Sequence, residues 1–230
     1  MDEKSPFHIA KALEFGWDVL TRRWLALVLW TVVLWIPHGM INAASTIFAL
    51  FSENHESPVW LKVASVVVQL ITLMLSTRVT LLCMDDEPAG LGNVLSAFKF
   101  TLPFTAASII FVVLVGCGLV LFVIPGFYVG LAMGLYSYLI VDQQMGPIEA
   151  LKRSICITKG HLLKLLALYF TLSMVVFGGL ICFVVGVLPA SIVCSVALGR
   201  VYRQLDRAYD GVEDDADDAL KADREQEAAG

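Results

Sequence analysis

The side chains able to do chemistry in this 230-residue chain are few and scattered. His38 and Asn42 stand four apart in one apolar run, Gln69 lies alone in a second, and Arg78 comes near the end of that second run. One chemistry open to such a set is a polar lining for a small solute. The other is structural, with interhelical hydrogen bonds for His38, Asn42 and Gln69 and snorkelling of Arg78 to the headgroups. The structural reading is favoured, because His38 follows Pro37 and lies toward the outer half of its run, where wet partners are within reach.

Nothing else converges on a reaction centre. His8, His55 and His161 fall outside the apolar runs, with no carboxylate or nucleophile constellation around them. Asp142 and Glu149 border one loop as helix-end charges rather than as an acid/base pair. No GxSxG, HExxH, P-loop or dinucleotide fingerprint occurs. The cysteines Cys83, Cys117, Cys156, Cys182 and Cys194 are single, without CxxC or a histidine at ligand spacing, so neither a zinc site nor a disulfide framework is expected. The acidic DGVEDDADDAL fails as a calcium loop, because the ligand positions read Asp215, Asp217 and Ala219 with no glycine at the sixth. The expectation is a protein with no catalytic residues, no metal and no cofactor.

The elements that would position these residues are hydrophobic. With 58% apolar and 16% charged side chains, the chain is far more apolar than a soluble domain. Its net charge of -5 is misleading, since Asp206 to Gly230 holds ten acids and three bases. No basic surface of the kind nucleic acid requires is left. The start, MDEKSPFHIAK, is unlike the basic n-region of a cleavable signal, so the first apolar run is expected to stay as a span. Six spans are expected at about 24–51, 59–84, 101–124, 127–145, 165–187 and 190–205. The membrane domain would cover 1–209, followed by a disordered acidic tail over 210–230. The bases Lys4, Lys11, Arg22, Arg23, Lys99, Lys152, Arg153, Lys159, Lys164, Arg200, Arg203 and Arg207 all fall on one side of this six-span layout, against Glu53, His55, Glu56 and Lys62 on the other. That asymmetry puts both termini in the cytoplasm.

From Phe100 to Val141 there is no charge at all, and one helix of that length would reach about 60 Å, twice the ~30 Å hydrocarbon core. The run must fold back, and Pro125-Gly126 is the expected hairpin break. Beyond it, Gly126, Gly130 and Gly134 recur every fourth residue and form a groove for a close helix contact, either within the bundle or between two copies. The absence of Asp and Glu inside the spans disfavours proton- or sodium-coupled transport.

Each pair of spans is preceded by a short segment of amphipathic pattern. In SPFHIAKALEFGWDVLTRRW, Ser5 and Pro6 can start a helix whose apolar stripe is Ala10, Leu13, Trp17, Leu20 and Trp24. In PIEALKRSICITKG the apolar Ile148, Leu151 and Ile155 oppose Glu149, Lys152, Arg153 and Lys159, with Pro147 and Gly160 marking the ends. Aligning Ala12-Leu13 with Ala150-Leu151 brings the two units into register, and GLGNVLSAFKFTLP is a looser middle copy. The fold class expected is therefore all-α and integral to the membrane, six transmembrane helices in three hairpins, each led by a cytoplasmic surface helix. Arg22, Arg23, Lys152, Arg153 and Lys159 are the candidates for contact with lipid headgroups.

The run IPGFYVGLAMGLYSYLIVDQQMGPIEALKRSICITKG resembles a signature of a loose bacterial superfamily that includes the YciC-like proteins and the membrane domain attached to some glycerophosphodiester phosphodiesterases. Pro125-Gly126, the apolar helix ending at Asp142, Gly146-Pro147, Ala150-Leu151, Ser154 and Lys159-Gly160 carry the likeness, together with the GWDVL opening. The resemblance implies a six-span protein of the bacterial inner membrane with no assigned activity. The function expected is a non-enzymatic structural or accessory component that meets lipid headgroups, a partner protein or a second copy of itself. The rival is a carrier for a small or lipidic solute, with its path near His38, Asn42 and Gln69.

Overall fold

The computed structural model describes residues 8–51, 57–181 and 186–229, with side chains up to residue 211 apart from that of residue 181. Ser5, Pro6, Glu53, His55, Glu56 and Cys182 lie outside the described residues. Among the described residues the chain is all-helical and contains no strand. In order the helices are α1 (Ile9–Phe51), α2 (Val59–Met84), α3 (Leu91–Leu95), a 3-10 turn (Ser96–Phe100), α4 (Thr101–Leu121), α5 (Val123–Met133), α6 (Tyr136–Gln143), α7 (Pro147–Thr158), α8 (Leu162–Ile181) and α9 (Val187–Ala229).

Five stretches are long and apolar enough to cross a membrane: α1, α2, α3 with its 3-10 turn and α4, α5 with α6, and α8. In four of them the most apolar window is only 11 to 17% buried, against 50% for Val123–Gln143, so four present apolar surface outward, as does the start of α5, while α6 is buried. Val120 at 89% exposed, Phe51 at 88% and Leu102 at 84% would be untenable in water, and in hydrocarbon they cost nothing.

The kink in α1 separates its two roles. Arg23 has φ −126° and ψ 30°, outside the helical range, and it divides Ile9–Arg22 from the run that starts at Trp24. The N-terminal part buries Ala12, Gly16, Val19 and Leu20, the i, i+4, i+7, i+8 face, against the bundle. Of the expected stripe only Leu20 is buried, while Trp17 and Trp24 stay 61% and 55% exposed. Indole rings at that position suit a membrane interface, which explains why an apolar residue sits on the outward face. The middle lead-in likewise differs from expectation. It is no separate surface helix, because α3 runs through the 3-10 turn into α4 and buries Val94 and Ala97.

The fold-back between the third and fourth apolar runs also moves. Pro125-Gly126 is not the break; the chain turns at Phe122, the one extended residue (φ −158°, ψ 138°) between α4 and α5. Pro125 sits in the first turn of α5, where its missing N–H has no intrahelical partner to lose. Gly126 is needed for a different reason: a Cβ there would lie 2.4 Å from the Leu119 amide nitrogen, and one on Gly118 would lie 2.7 Å from Gly126 Cα. Two glycines face to face let α4 and α5 touch backbone to backbone immediately after the turn.

The expected fourth span is broken as well, since α5 ends at Met133 and α6 starts at Tyr136. A helix that stops there leaves its last carbonyls without intrahelical donors. Ser154 Oγ and Thr158 Oγ1, both fully buried on α7, donate to the Ala132 carbonyl at 2.9 and 3.1 Å. This explains why a helix patterned as amphipathic packs its Ala150, Leu151, Ser154, Ile157 and Thr158 face onto protein. Gly160 follows with φ +87°, a left-handed conformation that a side chain would oppose.

Helix α9 starts at Val187 and continues to Ala229, through the segment expected to be a disordered tail. The Ala, Glu, Lys and Arg content of that segment supports helix by propensity alone. More consequential is its first half, where no residue from Val187 to Asp206 is exposed. Contacts from α1, α2, α7 and α8 surround it, so α9 is the hub of the bundle.

Candidate functional site

Three arginines sit where helix ends converge. Arg23, freed from helical geometry at the kink, donates through both terminal nitrogens to the carbonyls of Glu87 (2.7 Å) and Asp86 (2.6 Å) and lies 3.3 Å from the Asp86 carboxylate. Asp86 itself has φ +56°, which turns those carbonyls toward α1. Arg203 of α9 forks onto both oxygens of Asp85 at the end of α2 and reaches Asp142 of α6 at 3.3 Å. Arg153 of α7 pairs with Asp206 at 2.8 Å and with Asp210, both on α9, and lies over the Tyr209 ring. Burial pulls the Arg153 guanidinium down, but its bonds to Asp210 and Asp206 more than offset this and hold it above its usual value. Gln143 adds a side-chain hydrogen bond to Asp206, which is only 7% exposed. Together these contacts make a network that ties the end of α2, α6 and α7 to the middle of α9.

At its centre stands Tyr202, fully buried and stacked on Tyr138 with centroids 5.6 Å apart. Its hydroxyl lies beside Asp142 and Gln143 yet meets no partner at hydrogen-bond length. Arg200, two residues earlier on α9, donates to the Lys11 carbonyl at 3.3 Å and covers the Phe15 ring.

The pairings of the basic residues were not legible in the sequence. Among the headgroup candidates, Arg23 and Arg153 are consumed by internal pairs, and Arg22 pairs with Asp18 one turn away at 2.9 Å. Lys152 and Lys159 are exposed, as is Lys164 at the start of α8. The acids that complete the network, Asp85, Asp142, Asp206 and Asp210, were legible only as helix-end charges and tail, because their partners are 53 to 118 residues away.

The expected polar lining does not assemble. Asn42 Nδ2 meets His38 Nε2 at 3.0 Å and the His38 carbonyl at 2.9 Å, a local i, i+4 contact on a face where Asn42 is exposed. Gln69 is exposed on α2 and makes no hydrogen bond with either. Of the glycine groove, Gly126 is filled by α4, Gly130 faces Val115 Cγ2 at 3.9 Å from a notional Cβ, and Gly134 meets the Tyr169 hydroxyl of α8 at 3.0 Å. All three contacts are within the chain, and a cavity of about 480 Å³ remains along the groove. Among the described residues no group of three or more His, Cys, Asp or Glu side chains could hold a metal.

A second cavity, of about 180 Å³, lies among α1, α2 and α9 and is lined by hydroxyls that the sequence did not bring together: Thr31, Ser76, Thr80, Ser191 and Ser195. No family model, no characterised protein and no solved structure matches the chain.

Proposed function

We propose that this chain is a six-span protein of the bacterial inner membrane, with both termini cytoplasmic and no catalysis of its own. It acts as an accessory component that docks on anionic lipid headgroups. The sorting of its cations carries the reading. Arg23, Arg153 and Arg203, whose planar forks suit carboxylates and carbonyls, are spent on internal contacts, whereas Lys152, Lys159 and Lys164 stand exposed. Beside them Ile148 and Leu163 are 59% and 82% exposed, so the same surface offers apolar insertion and charge together.

Six crossings rather than five follow from treating α9 as a span that never meets lipid. Its apolar part, Val187 to Gly199, is short, but a helix surrounded by protein can carry Arg200, Arg203 and Asp206 without a hydropathy penalty. The repeat is supported by the alignment of Ala12 with Ala150, under which the buried Gly16, Val19 and Leu20 fall on the buried Ser154, Ile157 and Thr158. The likeness to the YciC-like superfamily rests on signature residues in the sequence, of which Gly126 lies at the α4–α5 contact, Gly146-Pro147 starts α7 and Gly160 follows its end.

Native mass spectrometry of the chain released from mild detergent tests this. Phosphatidylglycerol or cardiolipin should be retained, and Lys152→Gln/Lys159→Gln/Lys164→Gln should lose at least about four-fifths of it, at roughly 1 kcal/mol per base. Retention unchanged in the triple variant, or a bound solute in place of lipid, would overturn the assignment.

A further inference from the structure

The geometry points to the cavity among α1, α2 and α9 as a binding site for a small uncharged molecule rich in hydrogen-bond donors, of the polyol or urea class. Every hydroxyl in its lining has already spent its proton. Thr31 donates to the Leu27 carbonyl (2.7 Å), Ser76 to Leu73 (2.8 Å), Thr80 to Ser76 (2.9 Å), Ser191 to Leu188 (2.8 Å) and Ser195 to Ser191 (3.0 Å). With their protons spent in this way, these hydroxyl oxygens can accept a hydrogen bond from an occupant and have none to donate. The indole N–H of Trp30 is likewise committed, to the Ala89 carbonyl at 2.7 Å, so that residue contributes only its ring. An occupant has to bring the donors.

Charge is excluded by the same lining. No Asp, Glu, Lys, Arg or His borders the cavity, so a cation would find no counter-charge and an anion no donor. Size bounds the occupant further. A volume near 180 Å³ slightly exceeds the ~150 Å³ of an engineered cavity that holds benzene, which leaves room for roughly six to eight heavy atoms. The site is a half-open crevice between α1, α2 and α9. Ser76 and Thr80 stand nine and five residues before Asp85, and Ser191 and Ser195 twelve and eight before Arg203, so the lining hydroxyls lie about 7 to 18 Å along the helix axes from the charged network. Leu27, Leu34 and Ile192 give it a buried wall, and Trp35, 58% exposed, also lines it. A hydrocarbon-facing defect would not gather five oxygens from three helices that are far apart in sequence, whereas a pocket for a hydroxylated or amide solute needs that arrangement.

Glycerol is the probe, with acetate and methylammonium as charged comparators, read by saturation-transfer difference NMR on the full chain in detergent. Glycerol should bind saturably and both ions should not. Thr80→Val/Ser195→Ala keeps the shape while removing two acceptors and should weaken glycerol by about tenfold or more. Ser76→Leu fills the space and should abolish the signal, with melting temperature and circular dichroism reporting that each variant folds. Three outcomes overturn the proposal: no saturable glycerol signal from the wild type, undiminished binding in the folded variants, or equal binding of either ion. If Thr80→Val/Ser195→Ala does not fold, Ser191→Ala replaces it under the same criterion.

Discussion

Glycines at one helix spacing are not equivalent here. A methyl group on Gly126 would drive into the Leu119 amide at 2.4 Å, so Gly126→Ala must push α4 and α5 apart, while on Gly130 it would meet nothing closer than Val115 Cγ2 at 3.9 Å. Overpacking of that kind costs about 2 kcal/mol, and a chain of this size loses roughly 2 to 4 °C per kcal/mol. Thermal scans in detergent should show Gly126→Ala melting about 4 to 8 °C below wild type and Gly130→Ala within about a degree of it, given that coefficient. The Tyr202 hydroxyl makes the opposite prediction. Buried without a partner, it is a cost of about 1 to 3 kcal/mol that Tyr202→Phe removes, so the variant should melt at or above the wild-type temperature. A clear drop would mean that the hydroxyl is satisfied after all.

Among the elements, α9 has the largest consequences. It takes Asp85 of α2, Asp142 of α6 and Arg153 of α7 onto one face within two turns, so its charges act as fasteners rather than as a surface. Arg153→Met would strand Asp206, whose side chain is 10% exposed, and should cost about 3 kcal/mol. Removing both partners in Arg153→Met/Asp206→Leu should recover most of that loss, because the penalty comes from an unpaired buried charge. A double-mutant cycle by thermal unfolding measures this, and additive losses would mean that the pair is not coupled. Exchanging Arg203 and Asp85 should similarly restore part of what either single reversal loses.

For the molecule as a whole, the network requires α7 and the Asp206 turn of α9 to lie at one level, since Arg153 and Asp206 touch. Lys152 and Arg207 are both exposed nearby. Single cysteines at these two positions, in a chain stripped of its own thiols, should therefore label from the same side of a sealed vesicle. Labelling from opposite sides would discard the six-span arrangement.

The all-helical character and the long apolar runs were legible in the sequence, because hydrocarbon solvates backbone and charge so poorly that composition over twenty residues is enough to mark a candidate crossing. Local devices were partly legible. The chain does reverse between the third and fourth runs, yet at Phe122, because whether a proline turns the chain or merely opens the next helix depends on where that helix begins. Only the tertiary structure decided which polar groups meet. His38 and Gln69 shared a plausible depth and never came together, while Thr31, Ser76, Thr80, Ser191 and Ser195 converged from three helices and Arg203 found Asp85 from 118 residues away. Spacing along one helix predicts only that helix's own faces, and the choice of facing partners rests on packing that no single stretch of sequence encodes.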